Sequence, residues 1–433
     1  MFIILNVNWQ ESLRVFDTRL PLIVVGGGAA GFFAAIHSAD HHPERPVVVL
    51  EASPQVLTKV RISGGGRCNV THACFDPALL VQHYPRGAKA LRAAFSRFQP
   101  RHTVEWFAQQ GIPLKTEADG RMFPVTDQSQ TIVDTLLNVA ERLGVRIHTQ
   151  AAVTGIHWIQ SEGEPAAYFQ VQVKHRDPWL AGQVLLATGS SPQGYRLAQS
   201  LGHTLVPPVP SLFTLQIADP RLRDLAGIAL PKVRLHLHTA DGSRFQQTGP
   251  ILITHWGLSG PAVLKLSAWA ARALAEHRYQ ATVQIDWLGG EINPEGLRDH
   301  LLAIKQEWSR RRVVAHTPLD LPERLWASLA LATGMDPATR WAEISHRTLQ
   351  NLVHQVIKGQ FGVTGKGVFK EEFVTCGGIP LAEVDFKTMQ SRRCPGLFFA
   401  GEILDIDGVT GGFNFQSAWT TGWLAAQGIA QKD

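Results

Sequence analysis

A chain of 433 residues exceeds what one hydrophobic core usually organises, so two or three domains are expected. Its make-up is 45% hydrophobic and 18% charged with mean hydropathy near zero, as in ordinary globular proteins. The 41 Lys and Arg against 36 Asp and Glu (pI about 9.1) are a mild basic excess, which suits a polyanionic partner but does not require one. The four cysteines, Cys68, Cys74, Cys376 and Cys394, include no CxxC pair, which argues against a zinc site or disulfide scaffold and for a reducing compartment. The opening "MFIILNVNW" is too short to span a bilayer and lacks a basic region and cleavage site. No later stretch reaches eighteen uninterrupted apolar residues, so the expected location is the cytoplasm.

Residues 1–20 read as an N-terminal extension. "LPLIVVGGGAAGFFAAIHSA" then runs from an apolar strand through glycines into an alanine-rich helix, and "RPVVVLEAS" gives a second buried strand. Residues 87–110 and "SQTIVDTLLNVAERLG" read as helices, followed by strands "VRIHTQ" and "QVLLATGSS". From about 191 the character changes: "KVRLHLHTADGSRFQQTGPILITH" alternates like a hairpin around Asp-Gly, and residues 294–308 and 322–358 read as helices. The end returns to the first style, with strand "GLFFAGE" and a glycine-opened helix. The predicted fold is α/β, a Rossmann domain (21–190 and 376–433) interrupted by an α+β insert (191–375) with a β-rich and a helical part.

Gly26-x-Gly28-x-x-Gly31 follows a strand and opens a helix, and Glu51 ends the next strand. In this context Gly26 makes the tight turn, Gly28 lets a pyrophosphate approach the backbone, and Gly31 lets the helix pack on the sheet. Glu51 would accept from adenosine ribose hydroxyls, which favours FAD or NAD over NADP. The C-terminal "FFAGEILDIDGVTGGFNFQSAWTTG" decides between them. FAD needs a second grip on its ribityl chain and ring. Glu402 supplies an acceptor for the first, and the helix starting near Gly412 aims amides at the second.

"RISGGGRCNV" is then expected to be a cofactor clamp: Gly64, Gly65 and Gly66 admit backbone amides to the cofactor, and Lys59, Arg61 and Arg67 supply counter-charge. Cys68 and Asn69 are expected beside the flavin ring. "THWGLSGPA" has two readings, a βα turn capped by Ser259 or a loop presenting His255 to substrate. Arg67, Cys68, Asn69 and His255 are the candidate catalytic residues.

"GGGAAGFFAA", "KVRISGGGRCNVT", "THWGLSGPAVLKLS", "VTCGGIPLAEVDFKTMQS" and the C-terminal string together resemble the YhiN/BaiN-like flavoproteins, also described as aminoacetone oxidase family FAD-binding enzymes. The resemblance spans residues 21–430 and implies a glutathione-reductase-type FAD domain. It carries an FAD-binding role onto Gly26, Gly28, Gly31, Glu51, Arg61, Gly65, Gly401, Gly412 and Asn414. The chain departs from the family at His72, where Asn is usual, and after "LATG", which is several residues short. The resemblance also implies a substrate that is either a small metabolite or a uridine of large-subunit ribosomal RNA, with NADH or NADPH as reductant.

A disulfide reductase would need a CxxxxC pair, but five residues separate Cys68 from Cys74. A non-catalytic flavin-binding redox sensor is a further alternative. "HSADHH" is expected to carry surface histidines, and no metal site is expected. Arg310, Arg311 and Arg312 read either as a solvated helix end or as a phosphate-binding patch.

Overall fold

The computed structural model describes residues 15–16, 20–160, 166–367 and 374–430; most of the 1–20 extension lies outside them. Two compact units divide the chain, Met1–Pro208 with Gly377–Asp433, and Val209–Cys376.

The first unit is organised by a seven-stranded sheet. Its order is Val384–Asp385, Gln390–Ser391, Leu397–Phe399, Gln183–Leu186, Leu22–Val25, Val47–Leu50, Arg146–His148. The last five are parallel, in register Val184↔Leu397, Leu22↔Val47 and Val48↔Arg146. "LIVV" and "VVVL" are continuous apolar runs because both sheet faces are covered, and every residue in them is buried. Helix Ala29–His41 packs against the C-terminal helix Phe413–Ala430, joining the two chain segments of this unit. The single helix expected over 87–110 is two, Ala88–Arg97 and Pro100–Gln109. Pro100 lacks the amide that would continue the first, and it starts the second.

His37 corrects the expectation of surface histidines. Its ring lies 4.5 Å from Phe33 and 6.0 Å from Trp106, and burial followed by the nearby His41 lowers its pKa to about 3. A histidine whose folded pKa falls below the unfolded value near 6.5 is stabilising when neutral. Its contribution is complete above about pH 6.5 and is lost as pH falls toward 3. The unfolding free energy from denaturant titrations should therefore drop through this window by up to about 1.4 kcal/mol per pH unit. The His37→Leu chain should show a shallower acid limb, and an unchanged limb would exclude His37 as the cause.

Among the described residues, the second unit is an antiparallel seven-stranded sheet with four α-helices. The strand order is Gly359–Val363, Ala281–Asp286, Ala229–His238, Arg244–Thr254, Gly257–Ser259, Leu215–Gln216, Gly365–Lys366. The Asp-Gly hairpin forms as expected, with Gly242 at φ 85°. Leu235, Ile253, Leu266, Trp326, Trp341 and Phe361, all fully buried, make its core with the helices Pro261–Glu276, Pro294–Glu307, Glu323–Leu331 and His346–Lys358.

Candidate dinucleotide and flavin site

The strand Leu22–Val25 delivers the chain into a turn where the three motif glycines have separate reasons. Gly26 has φ 111°, and a Cβ there would lie 2.4 Å from Ala187 O. A Cβ on Gly31 would lie 2.1 Å from Gly26 O. Packing therefore requires both. Gly28 differs: its φ of −90° and ψ of −171° suit any residue, and a Cβ would meet nothing within 4 Å. Neither strain nor packing within the protein explains a glycine at 28, whereas a phosphate drawn against that backbone does. Glu51 is fixed beside the turn, with Oε2 accepting from Gly27 N–H (2.7 Å) and Oε1 from Ser53 N–H (2.8 Å). Each oxygen keeps a lone pair for a ribose hydroxyl.

The glycine run closes helix Thr58–Gly66. Ser63 leaves helical geometry (ψ 152°), Gly64, Gly65 and Gly66 take φ of 59°, 70° and 83°, and Cys68 follows at 62°. Such a left-handed path needs glycine, and added Cβ atoms on Gly65 and Gly66 would face open space. The backbone here is therefore presented outward.

The side chains around it are mostly engaged. Arg67 donates to Glu117 (2.6 Å), lies 3.6 Å from Asp127 and covers the Phe123 ring at 4.0 Å. The Glu117 hydrogen bond is the main reason its pKa is raised. Arg61 donates to Gln130, and Lys59 reaches Glu402 Oε2 at 2.6 Å, tying this segment to the end of strand Leu397–Phe399. Asn69, with its carboxamide oriented to accept from Gly412 N–H (2.9 Å) and donate to Thr71 O (3.0 Å), makes the second tie to the C-terminal turn.

Cys68 is wholly buried, and burial pushes its thiol up to about 12. Its sulfur is enclosed by protein, which leaves the expected place beside the flavin ring as a proposal. All four cysteines are free thiols. Thiol titration of the unfolded protein should give the same count before and after two-electron reduction; two additional thiols after reduction would restore a disulfide mechanism.

The C-terminal grip is built the same way. Gly401, at φ 77°, sits where a Cβ would come 2.8 Å from Ala30 Cβ, and its N–H donates to Thr421 Oγ1 (2.9 Å). Asn414 closes the turn, accepting from Gly408 N–H (2.8 Å) and donating to Gly408 O (2.9 Å). Since Asn69 takes the Gly412 amide, the donors that the C-terminal helix cannot satisfy itself are those of Phe413, Asn414 and Phe415. Sequence reasoning missed what anchors this turn: a bidentate Arg86–Asp407 pair with Asp407 fully buried, and Tyr84, whose hydroxyl donates to Phe413 O (2.6 Å). His72 and His83 stack on the Phe413 ring at 4.6 and 4.2 Å, so the departure from the family's Asn borders this same turn.

The structure thus gathers Gly26, Gly28, Gly31, Glu51, Lys59, Arg61, Gly65, Arg67, Asn69, Gly401, Glu402, Gly412 and Asn414 in the first unit. His255 belongs to the second, exposed with Trp256 in the tight turn between strands Arg244–Thr254 and Gly257–Ser259. The segment is thus a hairpin, and the cap of the following helix is Gly260, not Ser259. Among the described residues no His, Cys, Asp and Glu cluster could hold a metal.

Fold and turn geometry together define a Rossmann-type FAD-binding protein, and the residues present fit FAD at both ends. The chain matches the family described as HI0933-like protein Rossmann domain over residues 20–428, and it belongs to that family. It is similar to the ribosomal RNA dihydrouridine synthase of Haemophilus influenzae (29% identical, 95% of this chain and 98% of the relative). The 3-dehydro-bile acid delta(4,6)-reductase of Clostridium scindens is 27% identical over 94% of this chain and 98% of its own. Among solved structures, the 3-ketosteroid-delta4-(5alpha)-dehydrogenase of Rhodococcus jostii shares the fold, with TM-score 0.50 and 16% identity over 97% and 98% of the two chains. The protein is an FAD-dependent oxidoreductase, which removes the sensor alternative.

Proposed function

We propose that this enzyme reduces a carbon–carbon double bond conjugated to a carbonyl, with a uridine of large-subunit ribosomal RNA as substrate. The observation that carries the reading is shared chemistry. The relatives named as ribosomal RNA dihydrouridine synthase and bile acid delta(4,6)-reductase differ in substrate, yet each name describes saturation of such a bond.

When bound, FAD supplies the hydride. The chain's own tasks are to hold the cofactor, to favour negative charge where the reduced ring carries it, and to position the acceptor and a proton. Gly28, Glu51, Gly65 and Lys59 would serve the adenosine, phosphate and linker portions. Glu402 and the first-turn amides of the C-terminal helix would serve the ribityl and pyrimidine portions. Arg67, already neutralised by Glu117 and Asp127, would shape the site, with Asn69 holding the two grips together. His255 is the proposed proton donor or positioner from the second unit. NADH or NADPH is the proposed reductant, and the cytoplasm the proposed location. Among the described residues no helix is long and apolar enough to cross a membrane.

The test is genetic and chemical. Large-subunit RNA from a strain lacking the gene should lose a dihydrouridine that returns on complementation, and the purified enzyme with NADH or NADPH should form it on that RNA. An unchanged dihydrouridine complement would transfer the reading to a small conjugated ketone, the substrate type named for the Clostridium scindens relative.

A further inference from the structure

The second unit carries 19 Lys and Arg against 15 Asp and Glu, so +4 of the chain's +5 resides there. Part of that excess is gathered in one place. Residues 309–313 leave helix Pro294–Glu307 and run antiparallel to 339–342. Val313 N–H donates to Thr339 O, Trp341 N–H to Arg311 O and Ala342 N–H to Ser309 O, each at 3.0 Å. Val313 and Trp341 point inward and are fully buried, and Trp326 Nε1 donates to Val313 O (2.8 Å), so this short ladder is anchored in the core. Its outer side carries Arg310, Arg311, Arg312 and Arg340, all exposed.

Arg312 and Arg340 face each other across the ladder, and like charges directly opposite are destabilising. Among the described residues none of the four guanidinium groups makes an ion pair. The nearby carboxylates are otherwise bound, Glu343 to Arg340 N–H (2.9 Å) and Glu307 to Trp308 Nε1 (3.2 Å). Arg311 lies 4.9 Å from the Trp308 ring centroid, which fixes its direction. The helix dipole does not account for the run either. Trp308 is the C-cap, and the dipole's influence ends within the last turn.

We propose that this arginine ladder binds the phosphate backbone of RNA, an inference that rests on the RNA reading above. Guanidinium forks match phosphate oxygens bidentately, and four of them on two chain segments tied together by backbone hydrogen bonds suit successive phosphates.

The test uses the full-length flavoprotein and an in vitro transcript of large-subunit ribosomal RNA, with affinity measured across a salt series. Changing Arg310, Arg311, Arg312 and Arg340 together to Gln should flatten the slope of log K against log salt by about 3. The same four positions changed to Lys should keep the slope, and Arg340→Gln alone should lower it by slightly under 1. Flavin content should stay at the wild-type level throughout. A Gln variant with the wild-type slope overturns the ladder while leaving the RNA reading intact. A wild-type protein with no salt-dependent affinity for the transcript removes both. If the substitutions abolish binding to polyglutamate but not to RNA, the ladder serves an acidic protein and the proposal fails.

Discussion

Gly28→Leu should yield a folded but colourless protein. The leucine enters open space at backbone angles any residue adopts, so the fold should lose no more than about 0.5 kcal/mol. A pyrophosphate drawn to that backbone would be displaced, and FAD affinity should fall at least ~100-fold, about 2.7 kcal/mol. The wild-type protein should release FAD into the supernatant on acid precipitation; FMN, or colour left in the pellet, would contradict this. Gly31→Leu is the contrasting case. Its Cβ would lie 2.1 Å from Gly26 O, so it should damage the fold itself. Full flavin occupancy in Gly28→Leu would remove the phosphate site from this turn.

Asp407→Ala should strongly destabilise the first unit. Arg86, whose side chain is 11% exposed, would lose its bidentate partner in a place water reaches poorly. Removing one member of such a pair costs about 3–5 kcal/mol. For a unit of this size that is on the order of 10 °C in melting temperature. Combining it with Arg86→Met should recover part of the loss, because no unpaired charge then stays behind. A single-variant loss below about 1 kcal/mol would show that water already serves the pair.

The parts of the site legible in sequence were those that local chemistry dictates. A strand, spaced glycines and an acid at the next strand tip could be read at 22–51, and the Asp-Gly hairpin at 241–242. The glycine run at 64–66 was legible as a stretch that uses glycine's backbone freedom. Its form was not, because composition reveals freedom of φ and not the left-handed path the chain takes. Long-range partners were hidden: Arg86 and Asp407 stand 321 positions apart, and nothing near either residue marks the other. His37 looked exposed because it stands near the solvent end of its helix with His41 and His42, while Trp106, whose ring lies against it, comes from a distant helix. The break before Pro100 was readable by proline chemistry, yet the apolar spacing runs straight across it.

The parallel sheet also sets a schedule for biosynthesis. In the finished unit Gln183–Leu186 lies between Leu22–Val25 and Leu397–Phe399. On the ribosome its second neighbour arrives only after the whole second unit has been made, a wait on the order of ten to forty seconds. Throughout that interval an apolar strand offers one unpaired edge, the feature by which nascent chains capture one another. The proposed far grip on the cofactor, at Gly401 to Asn414, likewise follows the whole second unit in synthesis. FAD held at both grips would therefore join the two segments of the first unit only after the second unit has been made, and the open strand edge needs shielding until then.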